Sequence, residues 1–226
     1  MSGTSTLVTT EHFDYISKHT AREDSFLAEL KTAATAEGIP SIWIAPEQAS
    51  FIQILLRLAR AQRVVEVGTL AGYSAIVMAR ALPRGGRVDT IEVAPKHADF
   101  ARRWIARSDV ADRIEVHLGG GIDTLPSFED HSADAAFLDA DKASYPRYLE
   151  ECLRIVRPGG LIMADNAFAF GQLFDANASD REVPAMRAFN EVMAKENRLQ
   201  SVIVPIGDGL WVGVVILRSS SEPGGA

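Results

Sequence analysis

The sequence has little of what marks a secreted, membrane-bound or nucleic-acid-binding protein. Its 226 residues hold a single cysteine, Cys152, so no internal disulfide can form. Cys152 lies in an apolar, helix-like run and reads as packing, not as a nucleophile. No apolar stretch approaches the roughly 20 residues of a membrane span. The opening Met1-Ser-Gly-Thr-Ser-Thr6 lacks the basic-then-apolar order of a secretion signal, so a cytoplasmic location with no membrane partner is expected. Cations are the minority: 23 Lys and Arg stand against 30 Asp and Glu, a net charge of -7. A broad phosphate-binding surface is excluded and no nucleic acid partner is expected. His12, His19, His97, His117 and His131 show no paired metal-ligand spacing, and no Gly-x-Ser-x-Gly elbow accompanies them. Each reads as a surface or loop residue.

What is present is ordinary in bulk: 47% hydrophobic and 8% aromatic residues suit one globular domain without repeats. The informative stretch is Val64 to Ser74, Val-Val-Glu-Val-Gly-Thr-Leu-Ala-Gly-Tyr-Ser. A β-branched run that predicts a buried strand meets two glycines four positions apart, then residues of helical composition. Such a turn lets a ligand lie against main chain at an opening helix. A plain packing turn is the alternative. Gly68 and Gly72 lack the close glycine pair that admits a dinucleotide pyrophosphate, which disfavours an NAD-type oxidoreductase. Further on, Arg87 to Val93 reads as a second strand whose acid, Glu92, stands where open α/β sheets hold a ribose; an exposed strand-end acid is the alternative.

The remaining pattern alternates strand and helix. Helices are expected from about Thr20 to Glu37, from Pro46 to Arg60, from Ser74 to Leu82, from Pro95 to Arg107, from Tyr145 to Val156 and from Pro184 to Asn197. Strands are expected at 113–118, 133–138 and 161–164, with Arg157-Pro-Gly-Gly160 as the turn into the last. Two apolar runs, 199–206 and 210–217, flank Gly207-Asp208-Gly209 and predict a hairpin. Repeated β-α order implies a doubly wound, mostly parallel sheet with its site at the carboxyl ends of the strands. The polar stretch from Phe168 to Arg181 is a loop placed to recognise a substrate.

Asp139 and Asp141 follow one predicted strand and Asp165-Asn166 the next. Adjacent strand ends lie about 5 Å apart, so these four oxygen-bearing side chains can converge. An all-oxygen set without thiol or imidazole suits Mg²⁺ or another hard divalent cation such as Mn²⁺ or Ca²⁺. Helix caps and turns are the alternative use of Asp and Asn there.

Taken together, Glu66-Val-Gly-Thr-Leu-Ala-Gly-Tyr-Ser74, Glu92, Leu138-Asp-Ala-Asp-Lys142 and Ala164-Asp-Asn166 resemble the motifs of cation-dependent S-adenosylmethionine O-methyltransferases of the caffeoyl-CoA and catechol type. The likeness runs from about Ile42 to the Gly207–Leu210 turn. It implies a Rossmann-like class I methyltransferase sheet of seven strands in the order 3-2-1-4-5-7-6. It implies one domain over 1–226, with a helical cap at 1–60, the core at 61–218 and a loose tail at 219–226. Asp139, Asp165 and Asn166 match the family's metal ligands, and Lys142 the lysine that takes the phenol proton. An ordinary solvated lysine is the alternative for Lys142. S-adenosyl-L-methionine would meet Ile44, Glu66, Gly68, Thr69, Ser74, Glu92, Gly121 and Asp139, with Glu66 and Gly68 at its methionine end, Ser74 on its carboxylate, Glu92 on the ribose and Gly121 near the adenine. The implied substrate is a small catechol-type aromatic and the implied assembly a homodimer. Ala167-Phe-Ala169 departs from the Thr-Leu-Trp of plant relatives and removes an aromatic wall, which puts a caffeoyl-CoA-like thioester substrate in doubt.

Overall fold

A computed structural model of the chain describes residues 7–20 and 22–216, so the tail at 219–226, expected to be loose, lies outside the described residues. The strands are β1 Arg63–Val67, β2 Arg87–Glu92, β3 Ile114–Leu118, β4 Ala133–Leu138, β5 Val156–Ala164, β6 Leu199–Val204 and β7 Leu210–Val215. They form a seven-stranded sheet in the order 3-2-1-4-5-7-6, as expected. Neighbours from β3 through β5 are parallel, while β7 runs antiparallel to both β5 and β6.

Successive strand residues supply two cores because their side chains point to opposite faces. Val64, Val88, Phe137 and Met163 join the core under α2 (Ser25–Ala36), α3 (Pro46–Leu58), α4 (Tyr73–Ala81) and α5 (Pro95–Ile105). Val65, Ile91, Leu138 and Ile162 join the other, under α7 (Tyr145–Ile155) and α8 (Val183–Lys195). Central parallel strands covered on both sides are mostly apolar, and the acids within them, Glu66 in β1 and Asp89 in β2, are buried exceptions. Among the described residues no helix is long and apolar enough to cross a membrane.

Three local features differ from expectation. The helix expected from Thr20 starts at Ser25, where the Asp24 carboxylate accepts from the Leu27 amide at 2.9 Å. Ahead of it lies α1 (Thr10–His19), capped reciprocally by Thr9 and His12; none of its residues is fully buried, and Phe13 and Ile16 form its half-buried face. Arg157-Pro-Gly-Gly160 is not a free turn but part of β5. Val156 pairs with Ala133, the register then shifts, and Gly159 takes φ +77°, the signature of a bulged strand. A one-turn helix, α6 (Gly121–Thr124), follows the glycines after β3.

Every strand end that matters is tied to its neighbour. The Asp139 amide donates to Val67 O at 2.9 Å, and the Asp165 amide to Leu138 O at 3.0 Å, so the acids after β4 and β5 stand in step beside the glycine turn after β1. Gly68 has φ +107°, and a Cβ there would lie 1.9 Å from the Asp139 carbonyl oxygen. Gly68→Ala therefore combines a disfavoured backbone with a main-chain clash and is expected to cost about 3 kcal/mol or more of stability. Urea unfolding followed by circular dichroism measures it; a loss within experimental error would show that β1 and β4 can part freely.

Candidate active site

At the carboxyl ends of β1, β2 and β4 lies a cleft of about 270 Å³. Ile44, Gly68, Thr69, Ser74, Glu92, Gly121 and Asp139 all line it. The glycine turn shapes one wall: Gly72, at φ +84°, caps α4 so that Tyr73 and Ser74 open the helix at the cleft. Gly121 is needed for close approach, since a Cβ there would sit 2.7 Å from both the Tyr148 ring and Val67.

Glu66 does not line the cleft. It is fully buried behind it, with Oε2 accepting from the Thr90 hydroxyl at 2.6 Å and Oε1 without a hydrogen-bond partner among the described residues. Burial pushes its carboxyl up to about 8; the hydroxyls of Ser74 and Thr90 oppose this, and the charges of Asp139 and Glu92 add to it. A buried carboxyl with one oxygen unsatisfied is an uncommon arrangement, and it lies against a cleft of ligand size. Glu92 is held differently. Its Oε2 accepts from the Leu70 amide at 2.8 Å and its Oε1 from the Ala94 amide at 2.9 Å, which fixes the carboxylate and leaves it further lone pairs.

Sequence reasoning left several lining residues without a role. Trp43, His97 and Tyr148 line the cleft, and His97 Nδ1 is 3.7 Å from Glu92 Oε1. His97 is thus part of the site, not a plain surface residue. Tyr73 is buried and on the cleft wall; its hydroxyl donates to Glu23 at 2.5 Å, and Lys31 Nζ lies 4.3 Å from its ring centre.

Behind Asp139 stands a second group. Asp165 is buried, and burial followed by the charge of Asp139 raises its carboxyl to about 7. Gln48, from α3, donates to Asp165 Oδ1 at 2.7 Å. Asn166 adopts φ +66°, and its Nδ2 donates to Asp208 Oδ2 at 3.0 Å. Asp141 lines the cleft with Asp139; it is exposed, and its Oδ1 accepts from the Tyr148 hydroxyl at 2.6 Å.

Lys142 is 3% exposed, which removes the reading of an ordinary solvated lysine. Its Nζ is 3.2 Å from Asp139 Oδ1 and donates to the Tyr145 hydroxyl at 2.7 Å, which in turn donates to Leu138 O at 3.0 Å. Its Nζ also lies 6.0 Å from the Phe170 ring centre. An aromatic side chain therefore stands beside Lys142 after all, one position later than the motif comparison implied, because Ala169 and Phe170 both take left-handed backbone. Gln48, Tyr145 and Asp208 were missed; only the Gly-Asp-Gly turn carried a sequence signal, and it was read as turn chemistry alone.

A separate cluster, Asp89, Glu115 and His117, brings ligand-type atoms within 4.8 Å of one another on β2 and β3. None of these residues lines the cleft. Arg87 pairs with both carboxylates and Arg63 with Asp89, so the group reads as a charge network in which His117, 3.0 Å from Asp89, is a member and not a loop residue.

Comparison with known proteins agrees with this geometry. A protein from Niastella koreensis named catechol O-methyltransferase is 38% identical over 209 residues, covering 89% of this chain and 95% of its own. One of the same name from Mycobacterium tuberculosis is 35% identical, covering 86% and 88%. The solved structure of an O-methyltransferase from Bacillus cereus in complex with SAH superposes with a TM-score of 0.81 at 36% identity, covering 91% of this chain and 97% of that one. The sequence model of the O-methyltransferase family matches residues 17–216. The chain belongs to that family.

Proposed function

We propose that this chain is one methyltransferase domain that moves a methyl group from S-adenosylmethionine to a hydroxyl of a small ortho-dihydroxy aromatic, assisted by Mg²⁺ or a similar hard cation. The observation that carries the reading is the double position of Asp139: it lines the cleft, and its charge acts on the buried Asp165 behind it. One carboxylate thus borders both a cofactor-sized space and an oxygen-donor group. The relative solved with SAH, the product left when S-adenosylmethionine gives up its methyl, supports the cofactor, and the two relatives named for catechol support the acceptor.

The residues fit both groups. The unpartnered Glu66 Oε1, buried beside the glycine turn, suits an ammonium group. Two mutually repelling carboxylates with a carboxamide suit a hard cation, which relieves the repulsion. When bound, S-adenosylmethionine supplies an electrophilic methyl and the cation lowers the pKa of a coordinated phenol. Asp139, Asp165 and Asn166 hold the cation; Gly68, Thr69, Ser74 and Glu92 orient the cofactor, with Ile44 and Gly121 on either side. Lys142, held by Asp139 and Tyr145, would take up the phenol proton at Nζ, a step that requires Nζ to have given up its own proton before the acceptor reacts. The cleft contributes chiefly by orientation and by fixed charge, so no covalent link to the protein is required. A homodimer is the proposed assembly, with the exposed Ile54 and Leu58, one turn apart on α3, available to such a contact.

Lys142→Ala is expected to keep S-adenosylmethionine binding within about threefold by calorimetry while kcat on a catechol falls roughly 10²-fold or more. An unchanged kcat would remove Lys142 from the chemistry. Stripping the protein with EDTA should abolish turnover and Mg²⁺ should restore it, with monophenols transformed far more slowly than catechols; equal rates would count against a chelated acceptor. Glu66, at about 8, carries a proton at pH 7 in the free protein. A neighbouring ammonium favours the carboxylate, so cofactor binding is expected to release a proton and to tighten as pH rises from 7 towards 8. Calorimetry in two buffers of different ionisation enthalpy reads this release, and Glu66→Gln should abolish the buffer dependence.

A further inference from the structure

We propose that Asp208, in the turn between β6 and β7, is a positioning residue that decides which atom of Asn166 faces the cation. The inference rests on the cation reading given above. A carboxamide has one oxygen that can ligate a hard cation and one nitrogen that cannot, and rotation by half a turn exchanges them. Asp208 removes that ambiguity. Its Oδ2 accepts from Asn166 Nδ2 at 3.0 Å, so the nitrogen is committed to the hairpin and Oδ1 is the atom left for a ligand.

The same carboxylate holds the loop that carries Asn166. Oδ2 also accepts from the Phe170 amide at 2.8 Å, and Oδ1 from the Gly171 amide at 3.1 Å. Main-chain bonds add to the clamp: Ala167 N donates to Gly209 O at 2.8 Å, and Phe168 N to Asp208 O at 2.9 Å. Asn166, Ala169 and Phe170 all have φ between 53° and 66°, a region that side chains disfavour, so the loop needs such a hold. Both flanking glycines are required for the fit. A Cβ on Gly207 would lie 2.1 Å from Gln48 Oε1, and one on Gly209 would lie 2.8 Å from the Phe168 ring. Since Gln48 donates to Asp165, the hairpin turn is seated against the supports of two of the three proposed ligands. An unpaired carboxylate could have been placed here to add charge alone; its three donors make orientation the specific role.

The test is Mn²⁺ affinity, read by electron paramagnetic resonance of the free ion without cofactor or acceptor. In the native background, Asp208→Ala is expected to weaken Mn²⁺ binding about 10-fold to 100-fold, the range for groups that orient metal ligands, and Asp208→Asn by less. In an Asn166→Asp background the ligand has two equivalent oxygens and nothing to orient, so Asp208→Ala should cost no further affinity. A role in charge or loop integrity alone predicts the same loss in both backgrounds, and that result would overturn the proposal, as would native affinity in Asp208→Ala. Should Asp208→Ala fail to fold by circular dichroism, the Asp208→Asn pair in the two backgrounds decides by the same comparison. A native protein that binds no Mn²⁺ would overturn the cation reading and this inference with it, whereas native binding unaltered by these substitutions overturns only the role of Asp208.

Discussion

The site depends on one main-chain contact: the carbonyl of Asp139 occupies the space that a side chain on residue 68 would need. Parallel strands β1 and β4 are hydrogen-bonded neighbours, but pairing alone would not bring the turn after one this close to the acid after the other. The missing Cβ does, and it places the glycine turn and Asp139 on a common wall. Asp165 follows from the next pairing, through its amide bond to Leu138 O. An open α/β sheet gathers ligands at the carboxyl ends of its strands, and here the gathering is set by backbone packing before any side-chain chemistry is added.

Much of this arrangement was legible because it is local or because it follows from strand order. The glycine turn, Glu92 and the acids after β4 and β5 each belong to a short run of telling residue types, whereas the seven-stranded order was legible only through the family resemblance. What stayed hidden depends on distance. Gln48 reaches Asp165 across 117 positions, and nothing in the α3 pattern separates it from an ordinary polar helix residue. Tyr145 read only as the start of a helix, and its hydroxyl's link to Lys142 reveals a second use. The Tyr148 hydroxyl's bond to Asp141 was likewise hidden, since seven positions separate the two and only the fold sets their side chains together. Gly159 misled because a glycine that permits a turn also permits a bulge, and burial of β5 against β4 chose the bulge.

Charge explains why the region is built as it is. Glu66, Asp139 and Asp165 are acids at or behind the same cleft, and burial raises two of them well above the ordinary carboxylate range. Removing an acid from water is unfavourable unless a counter-charge or donors meet it. Lys142 meets Asp139 and Gln48 meets Asp165, while Glu66 keeps one oxygen unmatched. In an O-methyltransferase such imbalance fits a site completed by positively charged ligands, which stabilise the fold by mass action when they bind.

The supports of the oxygen-donor group come from opposite regions of the polypeptide: Gln48 from α3 and Asp208 from the last hairpin. During synthesis the helices and parallel strands up to β5 can begin to pack while the hairpin is still inside the ribosome. Asp165 would already have its bonds to Leu138 O and Gln48, while the Asn166 carboxamide would still lack its hairpin partner. The hairpin bond to the Asn166 carboxamide thus forms only after β6 and β7 have been made.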